Sequence, residues 1–273
     1  MKKILLTFLA AAFIMSGCTK TTDEQGTGKL IVKLTDDPFN ISYVESATVT
    51  ITKIEVRKAR QPDGNPFIVV SEDTLTMDLL ALRNGITKDL PAIDLPQGSY
   101  DLIRLYVDNA GLKIKDQPLE YNVKVPSGHQ TGIKIFISPA LNVEGGLTSE
   151  LLLDFDLARS FVMRGNLTHA AGVNGFIFKP CIRATNNSTA GRIEGLVTDT
   201  LNAKIKEAKL WVKKDTVIAT AYSDTLGHYA FIGVPAGSYS VYATKENYDT
   251  VSYSNVNVIA GNRTIKDFVL PGR

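Results

Sequence analysis

Short runs of alternating apolar and polar residues dominate the chain from residue 29 onward. In the first run, Leu30, Val32 and Leu34 share one face, and lysines take most of the other. A period of two is typical of a β-strand that buries one face. The same pattern predicts at least eight strands before residue 185, at 29–34, 47–58, 75–79, 100–107, 121–125, 133–137, 151–157 and 176–182.

The run at 47–58 changes phase part-way along. Val49 and Ile51 share a face, whereas Ile54 and Val56 have the opposite parity. A β-bulge near Thr52 and Lys53 would return all four apolar side chains to the same face. Only one helix is predicted in this half of the chain, around 156–164, so the half is mostly β.

A short polar stretch at 185–190 has no apolar period and marks a domain boundary. Seven more strands are predicted after it, at 193–198, 208–213, 217–222, 229–232, 239–243, 253–258 and 264–270. Seven strands in about 80 residues match the size of one immunoglobulin-like or prealbumin-like sandwich. We therefore predict an all-β protein with two consecutive β-sandwich-like domains, at 29–185 and 191–273, the second of them seven-stranded.

One turn sequence occurs in both halves. Residues 95–100 read Leu-Pro-Gln-Gly-Ser-Tyr, and residues 234–239 read Val-Pro-Ala-Gly-Ser-Tyr. Proline fixes φ, glycine supplies the permissive turn position, and tyrosine opens the next strand. Either the two domains are related, which we slightly favour, or both use a common sandwich turn.

The N-terminus has the parts of a secretion signal. Two lysines precede an almost unbroken apolar run at 4–15, and small residues stand before Cys18. The run is shorter than the roughly 20 residues that span a bilayer, so it predicts a signal peptide at 1–17 and no permanent span. Met15-Ser16-Gly17-Cys18 resembles the bacterial lipobox, which implies that Cys18 becomes the acylated N-terminus, with palmitate among its lipids. The alternative is an ordinary secretory signal.

Residues 18–28 are polar and rich in threonine and glycine, which predicts a flexible tether. The acidic pair Asp23 and Glu24 loosely resembles the export signal of Bacteroidetes-type surface lipoproteins. We therefore expect a lipid-anchored protein of the cell envelope, in the outer membrane and exposed at its surface.

Charge narrows the choice of partners. Cleavage before Cys18 removes two lysines and leaves as many basic as acidic residues. A neutral chain has no electrostatic attraction to nucleic acid and no polybasic patch for lipid headgroups, so we expect the membrane to be held through the acyl chain alone. Cys181 is then the one remaining thiol, and because no histidine lies near it in sequence, a structural role is favoured over a nucleophilic one.

Two aspartates are the candidates for cation binding or acid-base chemistry. Asp154 and Asp156 lie on the same face of a predicted strand, about 7 Å apart. That separation suits a cation or a glycosidase pair. The favoured alternative is structural: Asp156 caps the helix toward Arg164, and Asp154 pairs with an arginine.

Phosphate and zinc chemistry are not indicated. Residues 128–134 lack the Gly-Lys-Ser/Thr ending of a phosphate loop and lead into a strand, so a hairpin turn is favoured. The three histidines, His129, His169 and His228, have no ligand spacing. We expect no metal and no cofactor.

Trp211 is the single tryptophan of the chain. It shares strand parity with Lys209 and Lys213, so it is predicted to point outward. There it is a candidate platform for a sugar ring; the alternative, which we favour, is packing against the other domain or against lysine stems.

The triplet Asp-Thr-aliphatic occurs five times, where composition alone predicts about one. The triplet resembles the O-glycosylation signal of Bacteroidetes-type envelopes, and each copy is at or beside a predicted turn. The alternative, equally favoured, is that Asp and Thr both suit sandwich turns. The candidate O-glycosylation sites are Thr74, Thr200, Thr216, Thr225 and Thr250.

Three groups of residues in the C-terminal domain carry a family resemblance: Gly-Arg-Ile-Glu-Gly-Leu-Val-Thr-Asp at 191–199, then Ser223, Asp224, Gly227, Tyr229 and Phe231, then residues 234–239. With these residues the domain resembles the carboxypeptidase regulatory-like domains of bacterial surface proteins. The resemblance implies a carbohydrate-binding-like or prealbumin-like sandwich that acts as a stalk, a spacer or an interaction module.

Six segments of the N-terminal domain carry a second resemblance: Leu-Thr-Asp-Asp-Pro at 34–38, Met-Asp-Leu-Leu at 77–80, Ile-Arg-Leu at 103–105, Val-Pro-Ser-Gly at 125–128, Gln-Thr-Gly-Ile-Lys at 130–134 and Leu-Asp-Phe-Asp at 153–156. With these segments, residues 26–185 resemble the lipoprotein family called domain of unknown function 4382. This resemblance implies an architecture and no activity.

The function expected from these patterns is a non-catalytic binding or scaffold module of the envelope, presented to protein or glycan partners. Two alternatives stay open. One is a glycan-binding accessory or a glycan-handling enzyme that uses Asp154, Asp156 or Trp211. The other is a fimbrial or adhesin-type subunit.

Overall fold

A computed structural model describes residues 26–37, 44–60, 67–116, 120–125, 130–165 and 173–273. Several predicted features lie outside these residues: the signal peptide, Cys18 with most of the tether, and two of the three histidines, His129 and His169. In the described part of the chain, no helix is both long enough and apolar enough to cross a membrane.

The N-terminal half folds into β-strands with very little helix. The strands are β1 (Thr27–Asp37), β2 (Val44–Lys58), β3 (Ile68–Ser71), β4 (Leu75–Asp78), β5 (Lys88–Asp89), β6 (Ile93–Pro96), β7 (Gly98–Ile114), β8 (Glu120–Lys124), β9 (Ile133–Val143), β10 (Thr148–Asp156), β11 (Phe161–Gly165), β12 (Val173–Phe178) and β13 (Ile182–Asn186). A 3-10 turn at Leu79–Leu82 follows β4, and a second at Asn187–Thr189 follows β13.

Strand β9 joins two parts of the main sheet, whose order is β3-β2-β7-β9-β13-β10-β1-β5. It pairs antiparallel with β7 and, at Ile137, parallel with Ala184 of β13. Apolar side chains of both parts, such as Val56 of β2 and Leu153 of β10, belong to one buried cluster. The core therefore lies between the two parts, as in a sandwich.

The alternation in β1 and β2 behaves as predicted. Leu30, Val32 and Leu34 are at most 1 % exposed. Strand β2 has register shifts against β7 on both sides of Ile51. The bulge brings the side chains after it back to the core, and Val56 is fully buried.

The predicted helix at 156–164 is wrong over most of its length. Only Leu157–Ser160 is helical, as α1, and the chain continues directly as β11. Phe161 pairs with Phe178 of β12, and their rings lie 4.8 Å apart. Strand pairing of these apolar residues therefore outweighs their helical propensity.

The C-terminal half is a second all-β domain with its own buried cluster. Its strands are β14 (Ala190–Asp199), β15 (Lys209–Lys213), β16 (Val217–Tyr222), β17 (His228–Pro235), β18 (Gly237–Thr244), β19 (Val251–Val258), β20 (Arg263–Ile265) and β21 (Phe268–Leu270). One sheet has the order β16-β15-β18-β19, and in the other β14 lies between β17 and β20, with β21 also on β14. The predicted all-β sandwich architecture is confirmed.

The last predicted strand is divided in two. Strands β20 and β21 both pair parallel with β14, and Lys266 and Asp267 separate them. A Cβ on Gly195 of β14 would lie 2.1 Å from the Lys266 carbonyl oxygen, and an Asp267 carboxylate oxygen accepts a hydrogen bond from the Leu196 amide at 2.8 Å. The predicted strand is interrupted between β20 and β21 because the backbone of Lys266 passes very close to Gly195.

The repeated turn has the same geometry in both domains. The Tyr100 hydroxyl donates to the Pro96 carbonyl at 2.7 Å, and the Tyr239 hydroxyl donates to the Pro235 carbonyl at 2.7 Å. Both rings are at least 95 % buried, since their exposed fractions are 0 % and 5 %. Each hydroxyl therefore closes its turn from inside the core.

The likeness extends to strands that share no obvious sequence. A Cβ on Gly28 would lie 2.3 Å from the Glu144 carbonyl, and one on Gly191 would lie 2.4 Å from the Ile259 carbonyl. The register matches as well: Gly98↔Val143, Ser99↔Asn142 and Tyr100↔Leu141 in the first domain correspond to Gly237↔Val258, Ser238↔Asn257 and Tyr239↔Val256 in the second.

The next strand also follows the same path in each domain. The Lys29 amide donates to the Leu147 carbonyl at 2.8 Å, and the Arg192 amide donates to the Asn262 carbonyl at 3.0 Å. From these points β10 runs parallel to β1, and β20 runs parallel to β14. A shared turn alone does not explain three matching segments, so the observations favour the interpretation that the two domains are related.

Candidate functional site

The two candidate carboxylates, on the face of β10 opposite Leu153, have different partners. The Asp156 carboxylate accepts a hydrogen bond from the Arg159 amide at 2.9 Å and caps α1. The Asp154 carboxylate lies 2.6 Å from Nη2 of Arg183 on β13. These contacts match the structural alternative favoured from the sequence, in which Asp156 caps a helix and Asp154 pairs with an arginine. The difference is that the helical turn capped by Asp156 ends before Arg164. Among the described residues, no cluster of three or more His, Cys, Asp or Glu could hold a metal ion.

Asp154 belongs to the contact between the two domains. Arg183 also donates, through Nη1, to the carbonyl oxygen of Gly233 in the second domain, at 3.2 Å. The Asp154 side chain is only 9 % exposed. Burial raises the pKa of Asp154, and the neighbouring Arg183 opposes that shift. The pair thus connects β10, β13 and β17 through a single guanidinium group.

Close packing surrounds this bridge. Leu152 is fully buried, although it lies on the same face of β10 as Asp154 and outside the N-terminal core cluster. Gly233 has a φ of +63°, and a Cβ on it would lie 2.4 Å from Cδ2 of Leu152. Gly85 approaches Ile232 in the same way, with 3.3 Å between its virtual Cβ and Cγ2. We call the Asp154, Arg183, Leu152 and Gly233 contact the seam.

Sequence reasoning did not find the seam, although one signal was present. Residues 151–153 are three consecutive leucines in β10. A strand with one face in water would place a polar residue at the middle position, so apolar residues at all three indicate that both faces are covered. That signal does not identify what covers the second face.

Trp211 lies on the outer face of the second domain, as its parity predicted. Its ring stacks on Tyr242 of the neighbouring strand, with 5.0 Å between centroids and 1° between planes. Lys209 and Lys213 on either side of it are exposed. The packing partner of the indole is thus a tyrosine of its own domain.

All five threonines of the Asp-Thr triplets are exposed and lie outside the strands. In two triplets the aspartate shapes the turn: Asp199 accepts from the amides of Leu201 and Ala203, and Asp224 accepts from those of Leu226 and His228, all at 2.8 Å. Turn chemistry thus accounts for part of the pattern, and among the five exposed threonines the Thr250 hydroxyl donates to Oγ1 of Thr244 at 2.9 Å.

The remaining candidates take no part in a shared site. Cys181 is partly buried, and its backbone amide donates a hydrogen bond to Oγ of Ser160 at 2.9 Å. His228 is exposed at the start of β17. The structure therefore brings none of the described cysteine and histidine residues together.

A cavity of about 450 Å³ opens between β14, β17 and the loop that carries Asn84. Its three carboxylates already have structural partners. Glu194 pairs with Arg263 at 3.0 Å, while Asp267 and Asp224 accept backbone amides. Each of these carboxylates therefore holds structure, and the exposed His228 also lines the cavity.

Comparison with known families gives two matches in chain order. The family model of the domain of unknown function DUF4382 matches residues 27–180. This chain belongs to the DUF4382 family. In this DUF4382 protein the carboxypeptidase regulatory-like domain follows at residues 192–271. Both families, and their order, agree with the resemblance inferred from the sequence.

Comparison with curated proteins finds no match. Solved structures that are similar to this chain include the Bacillus anthracis TIE protein, at 14 % identity and a TM-score of 0.26, where the match covers 90 % of this chain but only 34 % of that one. Another is the shaft pilin SpaA of Lactobacillus rhamnosus GG, at 9 % identity, 90 % and 98 % coverage and a TM-score of 0.25. A third is BcpA, the major pilin subunit of Bacillus cereus, at 14 % identity, 90 % and 70 % coverage and a TM-score of 0.25. Scores this low do not establish a common overall arrangement.

Proposed function

We propose that this DUF4382 protein is a non-catalytic module of the cell envelope, held at a membrane by an acyl chain on Cys18. Its two β domains form one rigid unit that presents a surface to partners. The rigid unit rests on the seam, where Arg183 binds both Asp154 and the Gly233 carbonyl, and the anchor rests on the resemblance of Met15-Ser16-Gly17-Cys18 to the lipobox.

The seam supports a rigid unit because it leaves no space for a hinge. Leu152 is fully buried against the second domain, and two glycines allow direct approach of the backbones. Separating the domains would expose Leu152 and break the hydrogen bond from Arg183 to the Gly233 carbonyl, while the Asp154–Arg183 pair lies within the first domain and would stay intact. A hydrogen bond from a charged group contributes about 1.5 to 3 kcal/mol, an upper bound here because Arg183 is partly exposed.

The same geometry supports a role without catalysis. Asp154 binds Arg183, and Asp156 caps α1, so each carboxylate of the only pair proposed for acid-base chemistry is engaged in holding structure. A general acid or base must reach the reacting proton of a substrate. The carboxylates of Asp154 and Asp156 instead bind groups of the protein itself.

The test is metabolic labelling with an alkyne palmitate in the native cell, followed by membrane fractionation. We expect the wild-type protein to be labelled and to sediment with membranes, and Cys18→Ser to lose both properties. Cys181→Ser is the matched control, because it removes the other cysteine and should keep both. If Cys18→Ser is labelled and sediments like the wild type, the anchor is wrong.

The competing functions give different results. A fimbrial or adhesin-type subunit would be recovered in filaments sheared from the cell surface. A glycan-handling enzyme would release reducing ends from a polysaccharide and lose that activity in Asp154→Asn. Either result would replace the proposal.

A further inference from the structure

The outer face of the sheet β16-β15-β18-β19 carries aromatic and basic side chains in adjacent rows. We call this surface the Trp211 strip, and it consists of Lys209, Trp211 and Lys213 on β15, Tyr222 on β16 and Tyr242 on β18. The register places Lys209 beside Tyr222, and Trp211 beside Tyr242. The residues between them on β15 are fully buried, so the strip faces away from the core.

The charge of this face is positive. Within the described residues, the four strands of the sheet contain Lys209 and Lys213 and not a single Asp or Glu. Neither lysine has an ion-pair partner in that part of the chain. The acidic residues nearest in sequence, such as Asp215 and Asp249, lie in turns between the strands. A surface of one charge attracts ligands of the opposite charge.

The stacked rings add a preference for a ring-shaped ligand. Trp211 and Tyr242 stack face to face and are half-buried, so one face of each ring covers the other, and the remaining faces and edges are apolar surface with polar groups at its margin. Hydroxyl side chains adjoin the strip, since Ser240 lies opposite Lys213 and Thr244 lies opposite Lys209. Apolar ring faces beside hydroxyls complement a sugar, whose ring is apolar on one side and carries hydroxyls around its edge.

We propose that the Trp211 strip binds an acidic polysaccharide. The sugar rings pack on Trp211 and Tyr242, and carboxylate or sulfate groups contact Lys209 and Lys213. These two lysines are four residues apart on one strand, about 13 Å, so a segment of a few sugar units contacts both. An acidic peptide is a poorer fit, because an extended peptide binds best by adding to a sheet edge, and the strip is the face of a sheet.

The first experiment uses the fluorescence of Trp211, which is the only tryptophan in the chain. The whole mature chain is titrated with polygalacturonate, hyaluronate or dermatan sulfate. Fully methyl-esterified polygalacturonate has the same backbone without charge, and polyglutamate has the charge without sugar. We expect a saturable fluorescence change with at least one acidic polysaccharide and none with either control polymer.

The second experiment measures the same polymer against variants by calorimetry. Trp211→Ala should weaken binding about tenfold or more. The double variant Lys209→Ala/Lys213→Ala should weaken it about threefold to tenfold and reduce its dependence on salt. The matched control is Lys204→Ala/Lys206→Ala, which removes two exposed lysines of the same domain and should bind like the wild type.

Circular dichroism and melting temperature establish that each variant is folded. Failure of all three acidic polysaccharides to bind would overturn the inference, as would equal binding of the esterified polymer or of polyglutamate. Equal losses in the two double-lysine variants would also overturn it, because they would show a non-specific effect of net charge.

Discussion

Replacing Gly233 with alanine tests how closely the two domains are packed. Gly233 has a φ of +63°, and a left-handed backbone costs an L-residue about 1 to 2 kcal/mol. The new methyl carbon would also lie 2.4 Å from Cδ2 of Leu152, so either the end of this buried side chain or one of the two domains must shift. Overpacking of this kind costs about 1 to 3 kcal/mol. The expected loss in the free energy of unfolding is therefore about 2 to 5 kcal/mol.

A second glycine separates the two costs. Gly261 has a φ of +72° and no atom within 4 Å of a virtual Cβ, so Gly261→Ala should lose only the conformational part, about 1 to 2 kcal/mol. In a Leu152→Ala background the contact is absent, and Gly233→Ala should then cost no more than Gly261→Ala does.

The assay is urea unfolding followed by two signals. Trp211 fluorescence reports the second domain, and far-ultraviolet circular dichroism reports both domains. In the wild type we expect one transition at the same urea concentration for both signals. If Gly233→Ala loses no more stability than Gly261→Ala, or if the wild-type transitions are separate, the seam does not join the domains and the reasoning is refuted.

Three further predictions follow from single contacts. Burial raises the pKa of Tyr229, whose hydroxyl donates to the Lys266 carbonyl, so the folded state favours the neutral form of this side chain. The free energy of unfolding, measured by urea titration, should therefore fall as the pH rises above about 10. It should fall less steeply in Tyr229→Phe. An unchanged slope in that variant would count against the assignment. Asp156→Ala removes the cap of α1 and should cost about 1 kcal/mol in urea unfolding, whereas Asp156→Asn, which keeps an acceptor, should cost less. Gly28→Ala and Gly191→Ala each place a methyl carbon within 2.4 Å of a backbone carbonyl and should each cost about 3 kcal/mol, while Gly272→Ala, with open space around it, should be neutral. A melting temperature equal to that of the wild type in Gly28→Ala or Gly191→Ala would contradict the close backbone approach that the two domains share at these glycines.

Local pattern was enough to identify the buried face of most strands. Leu30, Val32 and Leu34 are buried as predicted because a period of two depends only on neighbouring residues. The bulge in β2 was also found in this way, since a change of phase is visible in one segment. The helix predicted at 156–164 was wrong beyond Ser160, because Phe161 pairs with Phe178, a partner that periodicity does not identify.

The seam could not be derived for the same reason. Arg183, Asp154 and Gly233 are far apart in sequence, and none of them belongs to a motif that requires the other two. Parallel pairing is equally hidden, because β1 and β10 are joined by a long stretch of intervening chain. The sequence analysis did favour an arginine as the partner of Asp154, and in the structure that partner is Arg183.

The pairing of β1 with β10 has a mechanical consequence. Tension applied through the N-terminus of β1 would act along the strand, and β1 is in register with β10 from Lys29 to Asp37. A load in that direction is shared by many hydrogen bonds at once, whereas a load across the strands would open them one after another. A protein that is attached through the N-terminus of β1 and pulled by flowing liquid or by a bound polymer would therefore carry the load along β1, the direction in which its pairing with β10 is strongest.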